Sequence, residues 1–343
     1  MIKVSILGHF GFGHSCLDGQ TVKTCIIADE MEKITGKKNL RRYDTHGGLK
    51  FLCRLPFVIL MMLFTSRNII ILPAQNGIRI IPRLLVLANR LFNRKIHYIV
   101  IGGWLPELLS QNAGLKKTLC ELEGIHVETE SMKSRLNALG LSNIHIMPNT
   151  KYLSKVAITE LPTFSTHPYP LCTFSRVIPE KGIEDAIKAV VKCNETLGYQ
   201  AYTLDIYGQI GNEEWFENLK KQFPQGFTYK GMVPYDKSVE ILKSYYALLF
   251  PTYYEGECFA GTFLDAFAAG LPVIASDWHD NASIVKDNHT GWIVPVHSVD
   301  ALVSCLKEIA VKDISQIRRN CVEQYTQYDP SVVVGNFISN SLE

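Results

Sequence analysis

Two carboxylates, Glu257 and Asp265, lie eight positions apart in the stretch EGECFAGTFLDAFAAGLPVIA, residues 255–275. Small residues fill most of the gap, and a short amphipathic segment follows Asp265 as far as Gly270. Pro272 blocks further helix, and residues 273–275 read as a buried strand. Free backbone N–H groups at a helix start attract an anion such as a phosphate. Carboxylate oxygens accept hydrogen bonds from hydroxyl groups. The plainer alternative is that acids favour helix N-termini for dipole reasons alone. A glycosidase pair fits poorly: its retaining form needs carboxyl groups ~5 Å apart, and eight helical residues span ~12 Å.

A second constellation is Ser175-Arg176-Val177-Ile178-Pro179-Glu180-Lys181-Gly182. Arg176 offers a rigid fork of donors and Lys181 a mobile ammonium, and both suit an oxyanion. A helix starting near Gly182 would add its N-terminal dipole. Without context, a surface pair between these cations and Glu180 is the simpler account. Glycines also close two later strands, in Tyr207-Gly208-Gln209-Ile210-Gly211 and in Tyr229-Lys230-Gly231-Met232. Glycine lets backbone approach a ring or phosphate, and ordinary turns use it too. At the N-terminus, Gly8-His9-Phe10-Gly11-Phe12-Gly13-His14 follows the first strand but is no dinucleotide fingerprint. His9 and His14 are candidate ligands in a loop where a histidine is more often bland.

These residues need a scaffold of alternating strands and helices. Strands are expected at 3–7, 68–72, 97–101, 124–129 and 143–147, with helices at 21–35 and 131–139. Residues 161–170 hold three prolines without apolar period and read as a linker. A second alternation follows. Strands are expected at 171–175, 203–207, 227–229, 247–250 and 291–294, and helices at 182–193, 213–222, 235–244 and 299–311. This pattern implies two Rossmann-like, doubly wound parallel sheets, with ligands in the crevice at the strand C-termini.

Composition narrows the partners. The 343 residues suffice for two domains, and 47% hydrophobic with 20% charged residues is ordinary for a globular protein. Nine cysteines, an odd number without a CxxC pair, argue for free thiols in a reducing compartment. The start MIKVSILGHFG reads as a strand and not as a secretory signal. The net charge of +2 hides an asymmetry: residues 37–95 hold twelve Lys and Arg against Asp44 alone. The same segment contains the apolar run 55–64, too short for a membrane span of ~20 residues. A buried helix explains a lone apolar run, but the charge density favours peripheral contact with an anionic membrane surface. Nucleic acid is a poor fit, because aromatic residues are sparse among these bases.

The spacing of Glu257 and Asp265 resembles the acidic signature of retaining family 4 glycosyltransferases, as found in bacterial capsule and surface-polysaccharide synthesis. Arg176-x-x-Pro179-Glu180-Lys181-Gly182 resembles that family's second signature, in the expected place. The resemblance covers most of 171–310 and is looser over 1–150. It implies the GT-B architecture, with an acceptor-binding domain at 1–165, a nucleotide-sugar domain at 166–324, and a segment from about 325 crossing back.

By resemblance, Arg176 and Lys181 contact the donor diphosphate, and Glu257 lies near the donor sugar hydroxyls. Asp265 matches the acid that holds the ribose, usually a Glu, and Phe259, Ala260, Gly261 and Thr262 supply backbone amides. Gly19 and Gln20 match the last turn of the glycine-rich first loop, which lies against the donor phosphate and the acceptor and makes them donor-binding, and Gly208 and Met232 lie beside the nucleotide. The implied reaction is retaining, metal-independent transfer from a UDP-sugar to a saccharide or lipid-linked acceptor, without cofactor. It would take place in the cytoplasm, at the inner face of a membrane. Asn76 and Trp104 face the acceptor in this scheme. Where many members keep a histidine, near Gly102, this chain has none. Two rivals therefore stand beside the transferase: a non-catalytic GT-B partner protein and a nucleotide-sugar epimerase.

Overall fold

The computed structural model describes residues 3–12 and 19–342. The chain divides into two compact units, Met1–Tyr152 with Tyr328–Glu343, and Leu153–Gln327.

In the first unit six strands form one parallel sheet. They are β1 (Val4–Gly8), β2 (Leu40–Asp44), β3 (Asn68–Leu72), β4 (Lys95–Ile99), β5 (Gly124–Val127) and β6 (Ile144–Ile146), in the order β2-β1-β3-β4-β5-β6. The central strands VSILG and NIIIL are buried throughout, as a sheet covered on both faces requires. The edge strand β2, LRRYD, buries only Leu40. Its polar side chains hid it from the apolar-run criterion, and no strand was expected there. Helix Gly19–Thr35 ends at Gly36, whose φ of +85° is open to glycine and strained for a residue with a Cβ. Helix Pro330–Ser341 packs against it and sinks Val333, Val334, Phe337 and Ile338 into this unit's core.

Helix Leu49–Thr65 runs unbroken through Pro56. The helix survives because Phe51, Leu55, Ile59, Met62 and Leu63 bury one face. Pro56 and Leu52, whose carbonyl loses its partner, both lie on the exposed side, where water can serve it.

The second unit repeats the design with β7 (Tyr169–Phe174), β8 (Tyr202–Tyr207), β9 (Phe227–Gly231), β10 (Ala247–Phe250), β11 (Val273–Ser276) and β12 (Gly291–Val294). Their order is β12-β11-β10-β7-β8-β9, all parallel. The division falls at 152/153, whereas the proline-rich stretch suggested 165/166. The chain from Leu153 onward packs on the second unit: the Val156 N–H donates to the Ala268 carbonyl (2.9 Å), and within the proline-rich stretch Phe164 stands edge-on to Tyr246 at 5.3 Å.

Each sheet has one point where the chain reverses its direction of winding. It lies between β1 and β3 in the first unit and between β7 and β10 in the second. Ligands of open α/β sheets bind at the strand carboxyl ends beside such points. The eight described cysteines are all free thiols. Among the described residues no helix is long and apolar enough to cross a membrane, and no group of three or more His, Cys, Asp or Glu could hold a metal ion.

Candidate functional site

The loop leaving β7 makes one tight turn, Pro179–Lys181, and reaches Gly182 at φ +70°. A Cβ at Gly182 would stand 2.1 Å from the Pro251 carbonyl oxygen, so only glycine lets this turn press against the end of β10. The contact is locked from the other side. The Glu180 carbonyl accepts from the Tyr253 N–H (2.8 Å) and the Thr252 hydroxyl (3.2 Å).

Lys181 and Glu257 meet there as an ion pair, with side chains only 7% and 10% exposed. The Lys181 ammonium also lies 5.0 Å from the ring centre of Tyr254 and 5.3 Å from that of Phe250. The Thr252 hydroxyl approaches the same Glu257 oxygen at 3.3 Å. Lys181 is therefore a fixed charge here, in contrast to the mobile ammonium the sequence suggested. Arg176 is exposed, and its guanidinium lies over the Tyr254 ring at 4.8 Å. One aromatic ring thus orients both cations.

Helix Gly261–Ala268 begins beside this pair. Its N-cap, Ala260, supplies no side-chain acceptor, so the first N–H groups lack the usual cap. The Thr262 hydroxyl donates to the Phe174 carbonyl (2.9 Å) and pins the helix start to the end of β7. Phe259 and Ala260 are buried, so they present backbone and not side chain. Asp265 lies inside the helix, 2% exposed, and its Oδ1 accepts from the Ser238 hydroxyl at 2.6 Å.

Gly208 follows β8 with φ +138°, and a Cβ there would sit 1.7 Å from the Ser175 carbonyl oxygen. Its N–H donates to Gly231 (2.9 Å) and its carbonyl accepts from the Tyr229 hydroxyl (2.8 Å). Met232, just beyond β9, is exposed. The residues expected to hold the donor in this unit therefore all stand at the carboxyl ends of β7, β8, β9 and β10.

In the first unit, Asp44 was missed by sequence reasoning. Its carboxylate accepts from the backbone N–H groups of Phe10 (2.9 Å), Phe12 (2.8 Å) and His46 (2.9 Å), which fixes the described part of the loop after β1. Burial alone would raise its pKa, but the N–H groups of His46, Phe12, Phe10 and Gly11 outweigh burial and hold it low. Its one visible signal is its isolation as the sole acid among twelve bases. The buried ion pair of Lys23 with Glu128, just past β5, also escaped notice.

Gly19 opens helix Gly19–Thr35, and the Gln20 amide donates to the Leu72 carbonyl (3.1 Å). Gln20 and Asn76 share a cavity of about 300 Å³ with His9, whose ring nitrogens contact Thr21 Oγ1 (2.7 Å) and His46 Nδ1 (3.2 Å). Trp104 does not line that cavity: its indole N–H closes on the Ile101 carbonyl (2.9 Å) of its own loop. Residues 13–18, with His14, lie outside the described residues.

Comparison with known proteins agrees with this architecture. Residues 162–327 match the family described as Glycosyl transferases group 1. The GtfA subunit of the UDP-N-acetylglucosamine–peptide N-acetylglucosaminyltransferase of Streptococcus pneumoniae is 27% identical over 178 residues, 51% of this chain and 34% of that protein. A phosphatidyl-myo-inositol mannosyltransferase of Mycobacterium leprae is 27% identical over 165 residues, 47% of this chain and 42% of that protein. The chain thus aligns with less than half the length of either relative. HepE of Anabaena, solved in complex with UDP, superposes with a TM-score of 0.73 over 99% of both chains at 13% identity, a likeness of fold. Residues 162–327 are a glycosyl transferases group 1 domain, and the whole chain has the GT-B fold.

Proposed function

We propose that the protein is a retaining glycosyltransferase that takes a sugar from a UDP-sugar and passes it to a saccharide acceptor carried on a lipid. The second unit holds the donor and the first unit the acceptor. One observation carries the reading. At the winding reversal of the second sheet, Arg176 and the uncapped start of helix Gly261–Ala268 concentrate positive charge beside the Lys181–Glu257 ion pair.

A nucleotide diphosphate placed there meets the Arg176 fork and the helix N–H groups. Charge that grows on the leaving phosphate is stabilised by groups already in position, so little reorganisation is required. Glu257 holds Lys181 in place and turns a free carboxylate oxygen toward sugar hydroxyls. Asp265, held by the Ser238 hydroxyl, binds the ribose hydroxyls. The chemistry needs no metal, because Arg176 and the helix N–H groups do the work a divalent ion would do. The named activities of the two relatives, both glycosyl transfers, support the class of reaction.

The surface of the first unit supports a lipid-borne acceptor. Between Asp44 and Glu107 there is no acidic residue but eight Lys and Arg. Helices Leu49–Thr65 and Ile81–Asn89 pack side by side there. Phe57, Leu60 and Phe64 lie exposed on the first, and Ile80, Leu84, Leu87 and Leu91 lie exposed on and around the second. A polar solvent gives no reason for such a face, whereas an anionic bilayer satisfies both its charge and its grease.

The test is incubation with UDP-sugars, GDP-sugars and a bacterial lipid extract in the presence of a chelator, with the product anomer read by NMR. An anomer matching the donor's, formed without metal, is expected. An altered sugar still attached to its nucleotide would make the protein an epimerase, and an inverted product would remove the retaining mechanism.

A further inference from the structure

The cavity shared by Gln20 and Asn76 has a composition that the donor chemistry does not use. It lies at the winding reversal of the first sheet, bounded by His9 after β1, Thr45 and Gly48 after β2, and the stretch from Pro73 to Gly77 after β3. Its polar lining residues are His9, Gln20, Thr45 and Asn76. Its remaining wall is apolar, made by Phe51, Leu52, Pro73, Ala74, Ile80 and Ile81. Such an apolar wall favours hydrocarbon over water. A free saccharide or phosphate would leave that wall unmatched.

The wall is also continuous with the greasy helix pair. Leu52 belongs to helix Leu49–Thr65 and Ile81 to helix Ile81–Asn89. Ile80 begins a row, Ile80, Leu84, Leu87 and Leu91, at the spacing of one helix face, and all four are exposed. An apolar track therefore leads from the cavity across the face with the basic surroundings.

We infer that this cavity binds the hydrocarbon next to the headgroup of an amphipathic acceptor, a saccharide joined to an acyl or isoprenoid chain. The polar groups meet the headgroup, the apolar residues take the first carbons, and the rest of the chain follows Ile80, Leu84 and Leu87 toward the bilayer. The assignment rests on the transferase reading for the word acceptor, but its binding chemistry stands apart from it.

The experiment measures calorimetric binding of butyl, hexyl and octyl glucosides, each below its micelle concentration, against free glucose. Each buried methylene should tighten binding about fourfold until the wall is filled. Ala74→Trp, which fills the cavity from an exposed position, and Ile80→Asn, which makes the wall polar, should each abolish the dependence on chain length. Thermal melts of both variants establish that they fold. Arg176→Ala, in the other unit, should keep the full dependence. Glucosides that bind no tighter as the chain lengthens, or whose tightening survives in both folded variants, would overturn the assignment. Nucleotide release without chain-length dependence would leave the transferase standing and the cavity wrong; the reverse pattern would spare the cavity alone.

Discussion

Lys181 and Glu257, 76 positions apart in the chain, form a nearly buried ion pair where the two signature loops of the second unit meet. Breaking such a pair from one side leaves an uncompensated charge, which costs about 3–5 kcal/mol. Glu257→Gln and Lys181→Met should each lower stability in urea by that order. The double variant should lose clearly less than the sum, because neither charge is then orphaned. Additive losses would mean that the two side chains are not paired in solution.

Gly208 and Gly261 make opposite demands. Alanine at Gly208 must clear the Ser175 carbonyl oxygen, 1.7 Å from its Cβ, at a φ that disfavours any side chain. Gly208→Ala should destabilise by about 2 kcal/mol or more and weaken nucleotide binding, since the Arg176 loop has to move. A Cβ at Gly261 meets nothing within 4 Å, so Gly261→Ala should stay within about 0.5 kcal/mol of wild type. Equal losses for the two would contradict the close approach of the loops.

Three histidines, His97, His126 and His145, cross β4, β5 and β6 in neighbouring positions, and Phe337 stands edge-on to the first two. Burial, then Lys95 and His145, lowers the His97 pKa to about 4. Burial, then His97 and His145, lowers that of His126 to about 3. Both therefore stay neutral in the fold at pH values where the unfolded chain binds protons. Their contribution is fully present above pH ~6.5 and drains away as the pH falls toward 4 and 3. The loss should amount to a few kcal/mol by pH 4. His126→Phe should flatten the fall in urea midpoint between pH 6.5 and 4, and an unchanged slope would refute the assignment.

The exposed cations and apolar side chains of residues 50–91 should act together on lipid. Arg42 is not among the groups to alter, since it is held by Asp29 (2.7 Å) and Glu32 (2.6 Å). Arg54→Gln with Arg90→Gln should weaken binding to phosphatidylserine vesicles by roughly 30-fold, at about 1 kcal/mol per charge. Phe57→Ser with Phe64→Ser should weaken it at every salt concentration, whereas the charge effect should fade in high salt. Co-sedimentation reads both. Vesicle binding that ignores all four changes would remove the membrane surface from the account.

Much of the proposed donor site is legible in the sequence because its pieces are local. Arg176 to Gly182 and Glu257 to Asp265 are short stretches whose residue types state their chemistry. The strands behind them are continuous apolar runs. What escaped detection depends on distance along the chain or on a missing apolar signal. The edge strand β2 offers only Leu40 to the core. Asp44 works through backbone N–H groups more than thirty positions away, which have no side-chain signature. Helix Ser315–Tyr325 hides its role behind a charge: Arg318 is buried, donates to the carbonyls of Tyr245 (2.7 Å) and Lys243 (2.8 Å), and is lowered by burial to a pKa of about 10. A buried arginine reads as surface in any composition-based scan.

The central claim is that Arg176 and its neighbours hold a nucleotide diphosphate and drive its departure. The direct measurement is release of free UDP from a panel of UDP-sugars, by wild type and by Arg176→Ala, with lipid extract present. Release from at least one donor is expected, lowered about 100-fold or more in Arg176→Ala, the scale of losing one transition-state donor. Binding of a UDP-sugar without release in any mixture, or release indifferent to Arg176, would contradict it. The first of these outcomes would leave the protein as a non-catalytic nucleotide-sugar binder.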